Sequence, residues 1–302
     1  MNEEIPYKDG NALWAAISAR AKTEAKSSGA NAGGLLRSFV VDRFLARVFA
    51  LPGEEWVLKG GNAVLTRVHN ARTTKDVDLL SNLGNLDSAV EQLRKAAALD
   101  LKDHFRFIIV AVRPAGGGTM QPDVTGYAIS VEAYCGARKR ESFSVDLVTS
   151  SMMTAEPDVQ SRASLVPAIP PAEIRLYPVM DHIADKLCAT QSTYGPLGDQ
   201  PSSRVRDLVD LVVFARTQTI VADDLLTAIA AEWKYRGLPD APFFNPPQNW
   251  EQRYRREAER VPACGDITTF EAAVALVSSM LNPVLDHEAL GLTWDPDEIC
   301  WS

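Results

Sequence analysis

The 302-residue chain reads as an α+β protein, with a mixed sheet and flanking helices in residues 1–165 and a helical half in residues 166–302. Three observations predict this. Apolar, partly β-branched runs at 105–112, 127–134 and 143–148 have strand character. From about residue 167 the pattern changes to helical spacing of apolar residues. Between the first helices and those strands, a short apolar run at 75–80 carries two aspartates one residue apart, Asp76 and Asp78.

The elements follow in order. Alanine-rich 11–26, with Leu13, Trp14, Ile17 and Ala21 at helical spacing, predicts a first helix, and Gly29 to Gly34 breaks it. Residues 35–50 predict a strongly amphipathic second helix that Pro52-Gly53 ends; its Arg37, Arg43 and Arg47 recur on helical spacing and face either RNA or water. A helix from Gly60 to about residue 69, a strand at 75–80 and a helix at 86–98 come next. Pro114-Ala115-Gly116-Gly117-Gly118 is expected to be a flexible hairpin connection. In the C-terminal half, helices are expected at 179–191, 204–217, 222–236, 252–259 and 269–281. Irregular segments are expected at Pro170-Pro171, at Tyr177-Pro178, in the polar loop 195–201 and over 239–247. Clefts between two such halves are common ligand sites.

Composition narrows the classes. With 46% hydrophobic and 23% charged residues, the chain can bury a large core. Its start has no basic region followed by an apolar stretch, and no run reaches the ~18–20 apolar residues of a membrane span. The four cysteines, Cys135, Cys188, Cys264 and Cys300, are widely spaced and suggest neither a zinc site nor a disulfide framework. A cytoplasmic protein with reduced thiols is expected, and the lack of coiled-coil heptads favours a monomer. The net charge of −8 disfavours a general nucleic-acid binder but permits a local basic groove. Arg138-Lys139-Arg140 and the cluster Arg253, Arg255, Arg256 and Arg260 are candidates for one, or simply solvated faces. His69, His104, His182 and His287 show no ligand spacing, and neither a G-x-S-x-G elbow nor a Walker motif is present.

The chemistry concentrates in Trp56-Val57-Leu58-Lys59-Gly60-Gly61-Asn62-Ala63 and Arg72-Thr73-Thr74-Lys75-Asp76-Val77-Asp78-Leu79-Leu80. On a strand, side chains at i and i+2 share a face, so Asp76 and Asp78 project together, roughly 7 Å apart along the backbone. Two carboxylates so placed can hold divalent cations about 3.5–4 Å apart and clamp both oxygens of an in-line phosphoryl displacement. Gly60 and Gly61 let backbone amides approach a triphosphate, and the positive end of the helix they open would lie near the phosphates. Thr74, two residues before Asp76, is expected on the same strand face. Asp146, in the run Ser144-Val145-Asp146-Leu147-Val148, either completes the carboxylate set or is a plain strand-end aspartate.

These strings resemble the first motif of the AbiEii/AbiGii nucleotidyl transferase family, toxins of bacterial abortive-infection and type IV toxin–antitoxin systems within the DNA polymerase β-like superfamily. The matching residues are Lys59, Gly60, Gly61, Ala63, Arg72, Thr74, Asp76, Asp78 and Leu79. Polymerase β-like enzymes often have Gly-Ser where this chain has Gly60-Gly61, and a shorter gap to the aspartates. The segment from Val179 to Ala189 resembles the family's helix bearing an active-site lysine, here Lys186, and Arg204 to Leu211 resembles its R-x-x-D-L-x-D-L helix. Together the matches span roughly residues 55 to 216.

The resemblance implies a polymerase β-like fold and a nucleotidyl transferase with Asp76, Asp78, Lys186 and Asp207 as catalytic residues. Lys59, Gly60, Gly61, Arg72, Thr74 and Lys186 would bind the nucleoside triphosphate. Asp76, Asp78 and Asp146 would hold Mg²⁺, with Mn²⁺ as the alternative ion. Asp207 either holds Lys186 or contacts nucleotide, Asp210 is structural, and Arg72, Arg204 and Arg206 bind phosphate or pair with these carboxylates. The implied acceptor is the 3′ end of tRNA, which would block translation, and a cognate antitoxin is the expected partner. A small-molecule or protein acceptor is the first alternative; a non-catalytic nucleotide- or partner-binding module is the second.

Overall fold

The computed structural model describes residues 5–51, 56–116, 125–195, 197–238 and 243–302. Expectations placed on Pro52-Gly53, Gly117-Gly118, Pro196 and residues 239–242 lie outside these.

Helices α1 (Gly10–Ser28) and α2 (Ala32–Val48) come first, capped by the side chains of Asp9 and Asn31 on backbone amides two or three residues into each helix. Strand β1 (Trp56–Lys59) runs directly into helix α3 (Gly60–Arg67), and strand β2 (Asp76–Ser81) and helix α4 (Leu86–Ala98) follow. Three long strands come next: β3 (Phe105–Gly116), β4 (Thr125–Cys135) and β5 (Arg138–Val148). Short β6 (Asp158–Ser161) and β7 (Glu173–Leu176) complete a seven-stranded mixed sheet of order β3-β4-β5-β2-β1-β7-β6 among the described residues. Pro114, Ala115 and Gly116, expected in a loop, are paired with Tyr127, Gly126 and Thr125, so the sheet extends further than the glycines suggest. Strand β7 lies beyond residue 165 yet pairs in parallel with β1 at Leu58 and Leu176.

The C-terminal half contains α5 (Val179–Gln191), the small hairpin β8 (Thr193–Tyr194) and β9 (Gln200–Pro201), then α6 (Val205–Thr217). After β10 (Ile220–Val221) come α7 (Ala222–Arg236), α8 (Glu251–Ala258) and α9 (Phe270–Leu285). Strands β11 (Thr293–Asp295) and β12 (Cys300–Trp301) fold back onto β10, and the Trp294 indole N–H donates to the Ala215 carbonyl at 2.7 Å, so the C-terminus fastens α6.

Period-two alternation decides which face of the sheet is dry. Val77, Leu79, Val145 and Leu147 enter one core with α1, α2 and α4, which leaves Asp76, Asp78 and Asp146 on the opposite face. Phe44 of α2 meets Phe107 and Phe143 at centroid distances of 5.5 and 5.3 Å. A second core is built from α5, α6, α7 and α9, and Val64, Leu65, Val68 and Ala71 from α3 and the turn after it belong to that second core. Helix α3 thus spans from sheet to helical half.

Arg43 and Arg47 face neither RNA nor water, the two alternatives expected of them. Both are buried against Asp103, with Arg43 Nε to Oδ2 at 2.7 Å and Arg47 Nη2 to Oδ1 at 2.6 Å. Burial opposes the Asp103 charge, but the two guanidinium groups outweigh it and hold the carboxyl below its ordinary value. Arg47 also donates to the Phe105 carbonyl, which joins α2 to the start of β3. Removing one partner of such a group strands buried charge. Asp103→Ala is therefore expected to destabilise the protein by about 3–5 kcal/mol in denaturant unfolding. A loss under ~1 kcal/mol, the range of exposed ion pairs, would contradict the buried-network reading.

Candidate active site

All ten residues singled out for chemistry line one cleft of about 550 Å³: Lys59, Gly60, Gly61, Arg72, Thr74, Asp76, Asp78, Asp146, Lys186 and Asp207. The floor is set by sheet register. Parallel pairing of β2 with β5 puts Asp78 opposite Asp146 and Asp76 opposite Ser144, and antiparallel pairing with β1 puts Lys59 opposite Asp78. Thr74 lines the cleft, but from the turn before β2 rather than from the strand itself, because pairing begins at Asp76.

Gly60 is required by contact as well as by conformation. Its φ is +59°, and a Cβ there would land on the Asp78 carboxylate. At Gly61 a Cβ would sit 3.0 Å from both terminal nitrogens of Arg72. No side chain caps the first turn of α3. Its amides and their partial positive charge thus lie at a cleft lined by both glycines. The Asn62 side-chain amide donates to the Asp76 carbonyl at 2.8 Å, which fixes this helix end to the strand carrying the aspartates.

The carboxylate side is electrostatically unsatisfied. Among the described residues no ion pair engages Asp76, Asp78 or Asp146. Burial first, and then the neighbouring Asp146, push Asp78 up to about 6. Asp146 is likewise raised, by burial and by Asp76, although Ser144 hydrogen-bonds it. Three oxygen donors on one face suit a hard divalent cation. They do not converge as a closed cage: among the described residues no three His, Cys, Asp or Glu side chains gather around one point. An open set fits an ion that shares its coordination with substrate phosphates.

Facing these carboxylates is a cationic chain, buried at Lys186 and exposed at Arg204. Lys186, 3% exposed in the middle of α5, donates to Asp207 Oδ1 at 3.0 Å and Asp210 Oδ2 at 2.6 Å. Arg72 grips Asp210 with two bonds of 2.8 Å, and Arg204 reaches Asp207 Oδ2 at 2.5 Å. Three cations to two carboxylates leave a positive surplus. Burial works against the Lys186 charge, but Asp207 and Asp210 outweigh it and its pKa is raised, so it stays protonated. Asp207 holds Lys186 here, which is one of the two roles expected of it. Arg72, expected to bind nucleotide, spends its fork on Asp210 and turns its guanidinium toward Gly61. Arg206 pairs with Glu257 at 3.3 Å.

Several cleft residues carried no signal in the sequence. Ser151 accepts from Lys59, whose ammonium also lies 4.1 Å from the centre of the Tyr177 ring. Asp185, Glu232 and Tyr235 line the helical wall. Asp185 could have been suspected, since it directly precedes Lys186; the others depend on which face of α7 meets α5. Histidine is absent from the lining: His182 is buried between the Tyr177 and Phe214 rings and kept neutral, chiefly by desolvation.

The strain at Asp78 has a measurable sign. Its folded pKa of about 6 lies above the unfolded value of about 4. The charge therefore costs the fold nothing below that unfolded value, and the cost grows as pH rises and is complete above 6. Asp78→Asn should stabilise the metal-free protein at pH 7.5 by about 1–2 kcal/mol, a few degrees in Tm, after allowance for the half-open cleft. The gain should vanish near pH 4. An equal or lower Tm for the variant at pH 7.5 would contradict the repulsion.

The fold can be placed among known proteins. The chain superposes on MenT4, a nucleotidyltransferase toxin from Mycobacterium tuberculosis H37Rv, with a TM-score of 0.59 and 13% identity over 89% of each chain. JHP933 from Helicobacter pylori matches at a TM-score of 0.43 and 14% identity, covering 86% of this chain and 94% of that one. No curated protein sequence matches significantly. The family model for "Nucleotidyl transferase AbiEii toxin, Type IV TA system" matches residues 43–276, well over half of the chain and both walls of the cleft. The chain belongs to the AbiEii nucleotidyl transferase toxin family of type IV toxin–antitoxin systems.

Proposed function

We propose that this nucleotidyl transferase moves a nucleoside monophosphate from a triphosphate to the 3′ end of tRNA, with Mg²⁺ or Mn²⁺ held by Asp76, Asp78 and Asp146. The observation that carries the reading is the division of one cleft into an unpaired carboxylate face and a face with surplus positive charge. A divalent cation on the carboxylates neutralises their mutual repulsion and spreads the charge that builds on the transferred phosphoryl group.

The chain's own groups do the rest. The amides of Gly60 and Gly61 and the Lys186 ammonium hold the triphosphate, and Asp207 and Asp210 hold Lys186. The acceptor hydroxyl attacks the α-phosphorus, the bond to the β-phosphate oxygen breaks, and pyrophosphate leaves with the electron pair. Asp146, which lines the cleft, takes the hydroxyl proton. Positioning and charge stabilisation supply the rate.

The acceptor reading rests on family membership and on Arg204, Arg206 and Arg253 at the cleft, where an A-form end would be met through phosphates and 2′-hydroxyls. The wider basic surface expected from the sequence contributes less. Arg37 and Lys139 pair with Glu141 and Glu132, Arg140 stacks on Trp14, and Arg255 pairs with Glu259. Membership of a toxin–antitoxin family brings with it an antitoxin partner. No helix among the described residues is long and apolar enough to cross a membrane.

The test is transfer from each labelled triphosphate to total tRNA, with sequencing of the 3′ ends. Asp76→Ala and Asp78→Ala should each lower transfer by at least ~100-fold and relieve growth inhibition without loss of fold. Lys186→Ala and Asp207→Ala should be nearly as damaging. Transfer to tRNA should also fall steeply with salt as counterion release weakens binding. No 3′ extension with any of the four nucleotides would overturn the tRNA acceptor, and label found only in metabolites or protein would move transfer to those acceptors. Full activity in either aspartate variant would overturn the metal set.

A further inference from the structure

One wall of the cleft has no part in the chemistry above. Asp185 directly precedes Lys186 on α5, and neighbours on a helix point about 100° apart. Lys186 therefore enters the buried chain with Asp207 and Asp210, while Asp185 turns to α7. There Arg236 donates through Nη2 to Asp185 Oδ1 and through Nε to Glu232 Oε1, the latter at 2.5 Å. Two carboxylates share one guanidinium, so this group of three is net negative, with Lys59, Lys186 and Arg204 the next cations acting on Asp185. The Asp185 side chain is 28% exposed, and among the described residues Arg236 is its one hydrogen-bonding partner. Tyr235, also on α7, is exposed at the same cleft, with its hydroxyl 3.3 Å from Ser150 Oγ.

The two signs of charge orient a nucleotide. A triphosphate is repelled from the Asp185 wall and drawn to α3 and Lys186. What is left to face Asp185 is the uncharged part of the molecule that donates hydrogen bonds, the sugar hydroxyls and the base N–H groups. With the Tyr235 ring offering a face to the base, the hydroxyls fall to Asp185. A carboxylate accepting from ribose hydroxyls is the arrangement used in dinucleotide sites, and an aromatic ring offers a face on which a base can lie. Arg236 and the buried Glu232 fix the Asp185 side chain in advance, which reduces the ordering cost of binding.

We propose that Asp185, held by Arg236, is a specificity-determining residue that accepts a hydrogen bond from a ribose hydroxyl seated in the cleft, with Tyr235 as the wall beside the attached base. The proposal rests on the nucleotidyl transfer reading of the same site. The ribose belongs either to the incoming triphosphate or to the terminal nucleotide of the acceptor, and the two sources separate experimentally.

Equilibrium dialysis with Mg²⁺ would compare each of the four labelled ribonucleoside triphosphates with its 2′-deoxy and 3′-deoxy counterparts, on wild type, Asp185→Ala and Asp185→Asn. A parallel arm would compare transfer to tRNA ending in adenosine with tRNA ending in 2′-deoxyadenosine. Wild type should favour the ribose form by ~10- to 100-fold in one arm, the value of a hydrogen bond to a charged group. In Asp185→Ala that preference should collapse to within about threefold, mainly through loss of the ribose form. If Asp185→Ala does not fold, the size-matched Asp185→Asn carries the comparison. Preference in the dialysis arm assigns the hydroxyl to the triphosphate; preference in the transfer arm alone assigns it to the acceptor. A wild type that binds triphosphate but shows no preference in either arm overturns the Asp185 proposal alone, as does a variant in which the preference survives. A folded wild type that binds no triphosphate overturns the underlying site reading and this proposal with it.

Discussion

Lys186 is the pivot of the molecule. A lone ammonium so deeply buried would cost several kcal/mol, and it is tolerated because Asp207 and Asp210 of α6 flank it. Asp210 in turn is gripped from the other half by Arg72, which stands between α3 and β2. The links come from α5, α6 and the segment between α3 and β2, so satisfying the charges and joining the two halves are one and the same event. Helix α3 strengthens the joint by giving its apolar residues to the helical core while its first turn meets Asp78. Cleft width is set by buried polar bonds, whose partners have few alternative positions.

Across the cleft the logic is reversed. Asp76, Asp78 and Asp146 are brought together by sheet register, and the alternation that buries Val77, Leu79, Val145 and Leu147 leaves them no choice of face. The sheet core stabilises enough to hold like charges that would separate if free. Local destabilisation of this kind is common at functional sites and is carried by the surrounding fold. A cleft with unpaired carboxylates on one face and surplus positive charge on the other suits a substrate that brings both phosphate and a cation.

Much of this was legible in the sequence because it depends on short-range pattern. The i, i+2 spacing of Asp76 and Asp78 fixed their shared face, and helices Leu86–Ala98, Val179–Gln191 and Ala222–Arg236 have the bounds that periodicity predicts. What escaped depends on distant partners. Arg43 and Arg47 look like a solvent-facing row until Asp103, 60 and 56 residues away, is brought against them. For Arg72 the sequence left phosphate and carboxylate open as partners, and only the fold, which brings Asp210 from 138 residues on, shows the pair. Strands β6 and β7 have four residues each, too short for alternation to register, and residues before Pro178 read as irregular because Pro170-Pro171 and Pro178 flank β7. Asp185 was overshadowed by the lysine beside it, since its environment comes from α7, 51 residues later.

The most direct measurement is a crystal structure of the protein with Mg²⁺ and a non-hydrolysable nucleoside triphosphate. The account predicts the triphosphate on the first turn of α3 and Lys186, with the ion on Asp76, Asp78 and Asp146. A triphosphate seated elsewhere, for instance in the crevice beside Tyr7, Asp100 and His104, with the three aspartates unengaged, would contradict it.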